Sequence, residues 1–175
     1  YDFTIAASSG DITGAILSSL LDDNSVVIST TTGTNSATEL FATTNGNGDI
    51  FVNDNVIWGI GRTLSESLTT LTLNAYRNIT FDATQDISIT GNRGGILLTA
   101  GGAINGYNSG TGFGANLLTT LGGSIAATAN NGNVALKSLT TGGYFGGIES
   151  PSGSITVSAP AGGISIAGQV STSLA

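Results

Sequence analysis

The sequence contains no cysteine, no histidine and no methionine, and only 9% of its residues are charged. Without cysteine, the chain forms neither a disulfide nor a thiolate metal site. Without histidine, it lacks the most common general base and the most common ligand of transition metals. A chain without methionine, even at position 1, is expected of a processed product or an excised fragment. These absences leave little of the chemistry that marks an enzyme.

Positive charge is also scarce. The sequence has four basic and eleven acidic residues, which give a net charge of −7. Nucleic acids and anionic lipids are bound mainly through clustered Lys and Arg, so we expect neither as a partner. No run approaches the ~18 apolar residues of a membrane-spanning helix, so no membrane span is predicted.

What the chain does contain is one short pattern that recurs: a Gly- or Asn-rich turn followed by alternating apolar residues. The copies are residues 48–52, 70–75, 78–83, 86–90, 95–100, 123–129, 133–136, 153–159 and 163–167. Each copy is typical of a short strand with one face in a core, and such a strand cannot bury that face alone. Stacking of many copies buries a continuous core. The pattern predicts a single all-β domain, a right-handed parallel β-helix (β-solenoid) with extra-helical loops.

The spacing of equivalent strands predicts the coil length. The interval from Ile50 to Leu71 equals the interval from Val134 to Ile155, whereas the interval from Leu71 to Leu97 is longer. We interpret the longer interval as a coil with an insertion. Coils of about 20 residues with three short strands each are therefore predicted.

Alternation along each strand predicts which side chains enter the core, because successive side chains point to opposite faces. The predicted inward residues include Ile50, Val52, Leu71, Leu73, Ile155 and Val157, and the residues between them (Phe51, Thr72 and Thr156) are predicted to face outward.

Residues 1–24 are a possible cap or lead-in segment, and residues 25–175 are predicted to form the stacked coils. Residues 15–21 have apolar side chains at helical spacing, and either Asp11 or Thr13 could cap such a helix. The alternative is a pair of solenoid strands with a corner at Ser18 and Ser19.

Two Gly-rich stretches, residues 105–114 and 141–147, are predicted to protrude as loops, and each carries a Tyr/Phe pair. Exposed aromatic side chains serve as sugar-stacking platforms or interface anchors. Trp58 follows an alternating strand, so it is either another such contact or part of the core. The possible surface contacts are Trp58, Tyr107, Phe113, Tyr144 and Phe145.

Carboxylates offer the only candidate catalytic chemistry. Asp82 and Asp86 follow successive strands and Arg77 is near them in sequence. Polysaccharide lyases and hydrolases on β-helices use clustered Asp with Arg or Lys, and two catalytic carboxylates lie ~5–9 Å apart. The alternative is that these residues accept backbone hydrogen bonds in turns. We assign no catalytic residue.

Calcium is a second candidate ligand, because it needs six to eight oxygen atoms and Asx-rich turns can supply them. The candidate oxygens belong to residues 22–24, Asn45, Asn47, Asp49 and residues 53–55. The sequence has neither a Gly-Gly-x-Gly-x-Asp repeat nor an EF-hand loop. We therefore assign no metal site and no cofactor.

Residues 21–28, 46–58 and 71–79 resemble filamentous haemagglutinin-like exoproteins, the large adhesins of Gram-negative two-partner secretion systems. The resemblance is carried by a Gly-Asp-Ile-x-Val block and a Leu-Thr-Leu-x-Ala-x-x-Asn-Ile block, and it is best over residues 11–100. It implies a right-handed β-helix, secretion to the bacterial cell surface and contact with an outer-membrane transporter during export. The secretion domain of that family carries an Asn-Pro-rich motif, and this sequence has no Asn-Pro pair. We therefore assign no residue to recognition by the transporter.

Two functions remain open at this stage. The first is a structural or adhesive segment of a secreted bacterial surface exoprotein. Its partners would be a cell-surface glycan or protein receptor, or copies of the chain stacked end to end. The second is a carbohydrate-active enzyme on the same fold.

Overall fold

In the residues that it describes, a computed structural model of the chain has short strands and one helix, and strands make up 50% of those residues. The structure describes residues 1–31, 46–61, 68–92, 94–106, 116–145, 148–150 and 152–172. In chain order the elements are β1 (Phe3–Ala6), α1 (Gly14–Asp23), β2 (Val26–Ser29), β3 (Ile50–Asn53), β4 (Val56–Trp58), β5 (Thr69–Ala75), β6 (Ile79–Phe81), β7 (Ile87–Gly91), β8 (Gly94–Ala100), β9 (Ile104–Asn105), β10 (Asn116–Thr120), β11 (Ile125–Ala129), β12 (Val134–Leu136), β13 (Ser138–Thr141), β14 (Gly143–Phe145), β15 (Ile148–Ser150), β16 (Ile155–Ser158), β17 (Ile164–Ile166) and β18 (Val170–Ser171).

Three parallel sheets are formed from these strands. Sheet A has the order β1-β3-β6-β9-β12-β17, sheet B the order β2-β5-β8-β11-β16, and sheet C the order β4-β7-β10-β13-β18. Along the chain, a strand of sheet A is followed by one of sheet C and then one of sheet B, and this cycle is one coil. In the first coil, α1 stands in the place of the sheet C strand. The β-solenoid with three strands per coil is therefore confirmed.

The predicted coil length is wrong, because the true coil is longer. Ile50 pairs with Ile79, and Leu71 pairs with Ile96. A coil therefore contains ~29 residues. Ile50 and Leu71 lie on different sheets, so the interval between them joined two faces of one coil rather than two successive coils. The error has a physical cause. Strands of all three sheets carry the same apolar alternation, so their spacing in the sequence does not show which sheet a given strand joins.

A coil without a protrusion is shorter, as the pairing of Leu118 with Leu139 in sheet C shows. One longer coil contains an insertion that the structure describes. Between β13 and β16 the chain inserts the antiparallel hairpin of β14 and β15, in which Tyr144 pairs with Glu149. Residues 143–145 of the predicted loop therefore form a strand of a short hairpin rather than a loop.

The core is filled by aliphatic side chains that stack from coil to coil. In sheet A, Ile50, Ile79, Ile104 and Val134 occupy equivalent positions and are 0% exposed. Burial of each such side chain contributes about 1.5–3 kcal/mol. The predicted alternation is confirmed in β3 and β5, where buried residues alternate with more exposed ones. Ile155 and Val157 of β16 are only partly buried.

The helix is confirmed, and the alternative strand pair is wrong. Thr13 is the N-cap, and its Oγ1 accepts a hydrogen bond from the Ile16 N–H at 3.2 Å. Gly14, Leu17 and Leu21 form the buried face of α1. A Cβ at Gly14 would lie 1.9 Å from the Asn55 carbonyl oxygen, so only glycine lets the helix approach the next coil this closely.

Candidate functional site

The two ends of the solenoid differ. At the start, α1 lies against β4, the end strand of sheet C. The Ser18 Oγ accepts a hydrogen bond from the Ile57 N–H at 2.9 Å. The Asp22 Oδ1 accepts one from the Gly59 N–H at 2.7 Å. Unpaired strand edges are templates for pairing with other chains, so these helix side chains protect the edge of sheet C.

The first strand of sheet A is protected in a different way. Residues after β1 fold back along it, so that the Ala6 N–H donates to the Ile12 carbonyl at 3.0 Å. The Thr4 N–H donates to the Asp11 Oδ2 at 2.7 Å. Both groups lie on the side of β1 that faces away from β3. Part of the segment of residues 1–24 therefore lies along the outer edge of β1, and β1 itself is a strand of the first coil.

The other end is open. The end strands β16, β17 and β18 have no neighbour beyond them among the described residues. Ile164 and Val170 continue the inward rows of sheets A and C, yet they are 52% and 54% exposed. We call the surface formed by the outer side of these strands, with Ile164 and Val170, the open end.

Polar side chains at the start of the sheet A strands link one coil to the next. The Asp2 Oδ1 accepts a hydrogen bond from the Asp49 N–H at 2.9 Å. The Asp49 Oδ1 accepts one from the Asn78 N–H at 3.0 Å. The Asn78 Oδ1 accepts one from the Ala103 N–H at 2.8 Å. We call this row the Asx ladder, and it fixes the parallel register where the chain turns.

The Asx ladder resumes after a break at Ala103, which has no side-chain acceptor. Sheets B and C repeat the arrangement with Ser and Asn acceptors. The further pairs, acceptor first and N–H donor second, are Asn133 with Gly163 (2.8 Å), Ser25 with Thr70 (3.0 Å), Ser124 with Ser154 (3.1 Å), Asn55 with Ser88 (2.7 Å) and Ser138 with Gln169 (3.3 Å).

One member of the Asx ladder also forms an ion pair. The Arg77 Nε donates to the Asp49 Oδ1 at 2.8 Å, and the Arg77 Nη2 contacts the Asp49 Oδ2. The Asp49 side chain is 4% exposed and that of Arg77 is 48% exposed. Burial alone would raise the pKa of Asp49, but the hydrogen bonds from Arg77 and Asn78 outweigh it and hold this pKa below its ordinary value.

The carboxylate that led the catalytic interpretation has a structural role. Asp82 accepts hydrogen bonds from the backbone and hydroxyl of Thr84 and from the Gln85 amide, and those from Thr84 lower its pKa. Arg77, the predicted cationic neighbour, is paired with Asp49. The turn interpretation therefore describes Asp82.

Several of the Asx side chains considered for calcium are likewise engaged with the backbone. Asp54 accepts from the Gly14 N–H at 2.8 Å, and Asn55 and Asp22 are the acceptors described above. In the described ranges, no group of three or more acidic residues is placed to hold a metal ion. Asn45 lies outside the described residues.

Trp58 is buried rather than a surface contact. Its side chain is 1% exposed and belongs to the core, so the packing alternative is correct. The indole lies against Gly91 and Gly94 of the next coil, where a Cβ would come within 2.5 and 2.4 Å of it. Its Nε1 has no hydrogen-bond partner among the described residues.

The other predicted aromatic contacts are not described. Tyr107 and Phe113 lie outside the described residues, and Tyr144 and Phe145 are in β14 with side chains that the structure does not describe.

A groove that the sequence did not reveal lies where the chain turns from sheet B to sheet A. It has a volume of about 510 Å³ and is open to solvent. Tyr76, which lines it, is 58% exposed. We call it the corner groove, and its lining includes Tyr76, Arg77, Gly101, Gly102, Asn130 and Asn131.

Comparisons with protein-family models, curated proteins and solved structures find no match to this chain. No helix in the described ranges has the length and apolar character that a membrane crossing requires.

Proposed function

We propose that this chain is a structural and adhesive segment of a secreted bacterial surface exoprotein, of the filamentous haemagglutinin-like kind. The observation that carries the proposal is the contrast between the start of the solenoid, where α1 covers the edge of sheet C, and the open end. Such a solenoid has a direction, because a further coil with strands in all three sheets can be added at the open end but not at the start.

The linking hydrogen bonds support a structural role. After the first coil, each coil is tied to the next by three parallel ladders, and polar side chains at the turns add further links, so the stacked coils form a stiff unit. Stiff solenoids present extended surfaces for binding, which is how repeat proteins act on their partners. A cell-surface glycan or protein receptor is the partner class that the proposal assigns to those surfaces.

The ends restrict self-assembly. A second copy cannot add a strand to β4 because α1 occupies that edge. Head-to-tail stacking of copies is therefore disfavoured, and the open end is the surface that takes up another coil of parallel strands. Its exposed Ile164 and Val170 continue the aliphatic rows of the core, so the next coil would bury them as the earlier coils bury their equivalents.

The enzyme alternative has less support, because Asp82 is bound in a turn and Arg77 is paired elsewhere. Incubation of the purified chain with a panel of polysaccharides tests it directly. We expect no reducing ends and no unsaturated product. Release of product by the wild-type chain but not by Asp82→Asn would replace the adhesive proposal with the enzyme.

Location and adhesion are tested on cells. Antibodies against the purified chain should label intact cells of the source bacterium without permeabilisation. Beads coated with the folded chain should be retained on host or neighbouring cells, and beads coated with the heat-unfolded chain should not. Labelling only after permeabilisation, or equal retention of both bead types, would contradict the proposal.

A further inference from the structure

We propose that the corner groove binds an uncharged sugar unit of a surface glycan. The inference rests on the proposed adhesive function and names the ligand class for one site on its surface.

The groove arises because three successive corners stack in register. Ala75, Ala100 and Ala129 are paired neighbours at the ends of β5, β8 and β11. The residues that follow them therefore form three adjacent corners. Neighbouring strands lie ~4.8 Å apart, so the outer two corners are separated by about 10 Å. Only the middle corner lacks side chains, and this gap is wide enough for one sugar ring.

The middle corner has to be glycine. A Cβ at Gly101 would lie 1.9 Å from the Tyr76 carbonyl oxygen, and one at Gly102 would lie 2.5 Å from the Asn78 Oδ1. No other residue fits without moving the backbone of the preceding coil. The gap is therefore a fixed feature of the stacked coils, with Tyr76 and Arg77 on one wall and Asn130 and Asn131 on the other.

One wall offers an aromatic ring. Tyr76 is 58% exposed, and its ring lies close to Gly48 of the preceding coil, where a Cβ would come 3.4 Å from the Tyr76 Cδ1. The Tyr76 N–H donates to the Thr30 Oγ1 at 3.1 Å, which fixes the backbone below the ring. A tyrosine ring combines an apolar face with a polar hydroxyl, and the C–H face of a sugar stacks on such a ring while its hydroxyls remain hydrated.

The opposite wall offers amides. The Asn131 Nδ2 donates to the Gly101 carbonyl at 2.9 Å, so this side chain is held beside the floor of the groove. Its Oδ1 is then an acceptor with a fixed position, and the exposed Asn130 adds a second amide. Amides both donate and accept, which matches sugar hydroxyls that do the same.

The charge of the site selects uncharged sugars. Arg77 is the only cationic side chain in the lining, and Asp49 pairs with two of its nitrogens. The chain as a whole carries a net charge of −7. Sialylated or sulfated glycans would meet no unpaired positive charge in the groove and would be repelled by the protein as a whole.

The experiment measures binding of immobilised neutral glycans (ending in galactose, mannose, glucose, fucose or N-acetylglucosamine) and of their sialylated and sulfated counterparts. We expect the wild-type chain to bind at least one neutral glycan and to bind the charged forms more weakly. Tyr76→Ala should weaken binding about tenfold, which corresponds to ~1.4 kcal/mol. Asn131→Ala should weaken it several-fold. Tyr76→Phe should retain most of it, because the ring remains.

Leu117→Ala is the matched control, since Leu117 is an exposed apolar residue on sheet C, away from the groove. It should bind as the wild type does. Equal binding by wild type and Tyr76→Ala, preference for charged glycans, or no glycan binding at all would overturn the groove as a neutral-sugar site. Retention of coated beads on cells, unchanged by Tyr76→Ala, would leave the adhesive proposal in place and remove only this inference.

Discussion

The Asn133 Oδ1 accepts a hydrogen bond from the Gly163 N–H at 2.8 Å, although the two residues are 30 positions apart in sequence. The same relationship joins Asn78 to Ala103 closer to the start of the chain. In both pairs, a side chain at the beginning of a sheet A strand substitutes for a backbone acceptor of the coil before. The relationship makes the stability of the solenoid depend on single Asx side chains at its turns.

The Asx ladder predicts a graded response to loss of the amide. Asn78→Ala removes a part-buried acceptor and leaves the Ala103 N–H without it, so we expect a loss of about 1–2 kcal/mol in the free energy of unfolding. Asn133→Ala should cost less, because Asn133 is exposed and water can replace it. Urea unfolding measures both, with the exposed Asn130→Ala as a control outside the ladder. Equal stability of Asn78→Ala and Asn130→Ala would show that the ladder contributes nothing.

The Asp49–Arg77 pair predicts a pH dependence of stability. The folded-state pKa of Asp49 is lowered, so its contribution is fully present above the unfolded value of ~3.9 and is lost as the pH falls through the folded value. The melting temperature of the wild type should therefore exceed that of Asp49→Asn at about pH 7, and the difference should shrink below about pH 4. A difference that stays constant with pH would mean that the ion pair does not stabilise the fold.

Burial in the core predicts that the cost of an introduced charge depends on the position of the residue along the solenoid as well as on the direction of its side chain. Leu73 is 0% exposed, so Leu73→Asp would bury an unpaired carboxylate at a cost of several kcal/mol and should abolish soluble folded protein. Thr72→Asp, on the outward face of the same strand, should be tolerated. Near the open end, Val157→Asp should be milder than Leu73→Asp, since Val157 is only partly buried.

Circular dichroism and soluble yield measure these variants, and Thr156→Asp is the outward control for Val157. Equal damage from Thr72→Asp and Leu73→Asp would mean that both faces of β5 are buried. Equal tolerance would mean that the register of sheet B is wrong.

Because α1 covers the edge of β4, we expect it to protect the chain against self-association. Ser18→Ala combined with Asp22→Ala removes the acceptors for the Ile57 and Gly59 N–H groups and exposes the edge of β4. We expect lower stability and an increase in sedimenting aggregates relative to Ser19→Ala, a control at an exposed position of the same helix. No change in aggregation would show that these two side chains of α1 are not needed to protect this edge.

The strands, their inward faces and the helix can be predicted from the sequence, because each depends on the residues of a short local stretch. Alternation identifies strands and their inward faces, and apolar spacing with Thr13 identifies α1. The coil length cannot be predicted this way, since Ile50 and Leu71 look alike although they lie on different sheets. The burial of Trp58 likewise cannot be predicted, because it depends on Gly91 and Gly94 of the following coil. Only the pairing of β4 with β7 brings these glycines next to the indole.

The corner groove cannot be predicted from the sequence for the same reason. Tyr76 is an unremarkable tyrosine in the sequence, and Gly101 and Gly102 look like any turn. Only the pairing of Ala75 with Ala100 places the glycines beside the tyrosine and creates the gap. A sequence with a known coil register would reveal it, because the Tyr-Arg, Gly-Gly and Asn-Asn pairs would then align.

Sedimentation velocity of the purified chain over a range of concentrations, combined with negative-stain images, tests the central claim most directly. With one protected and one open end, the wild-type chain should associate in pairs through the open end and should not form filaments. Ile164→Lys combined with Val170→Lys should remain monomeric with an unchanged circular dichroism spectrum, because two charges replace the exposed apolar residues. Filaments of the wild type would contradict the role of α1 as a block to head-to-tail stacking, and a wild type that stays monomeric at every concentration would contradict the open end as a contact surface.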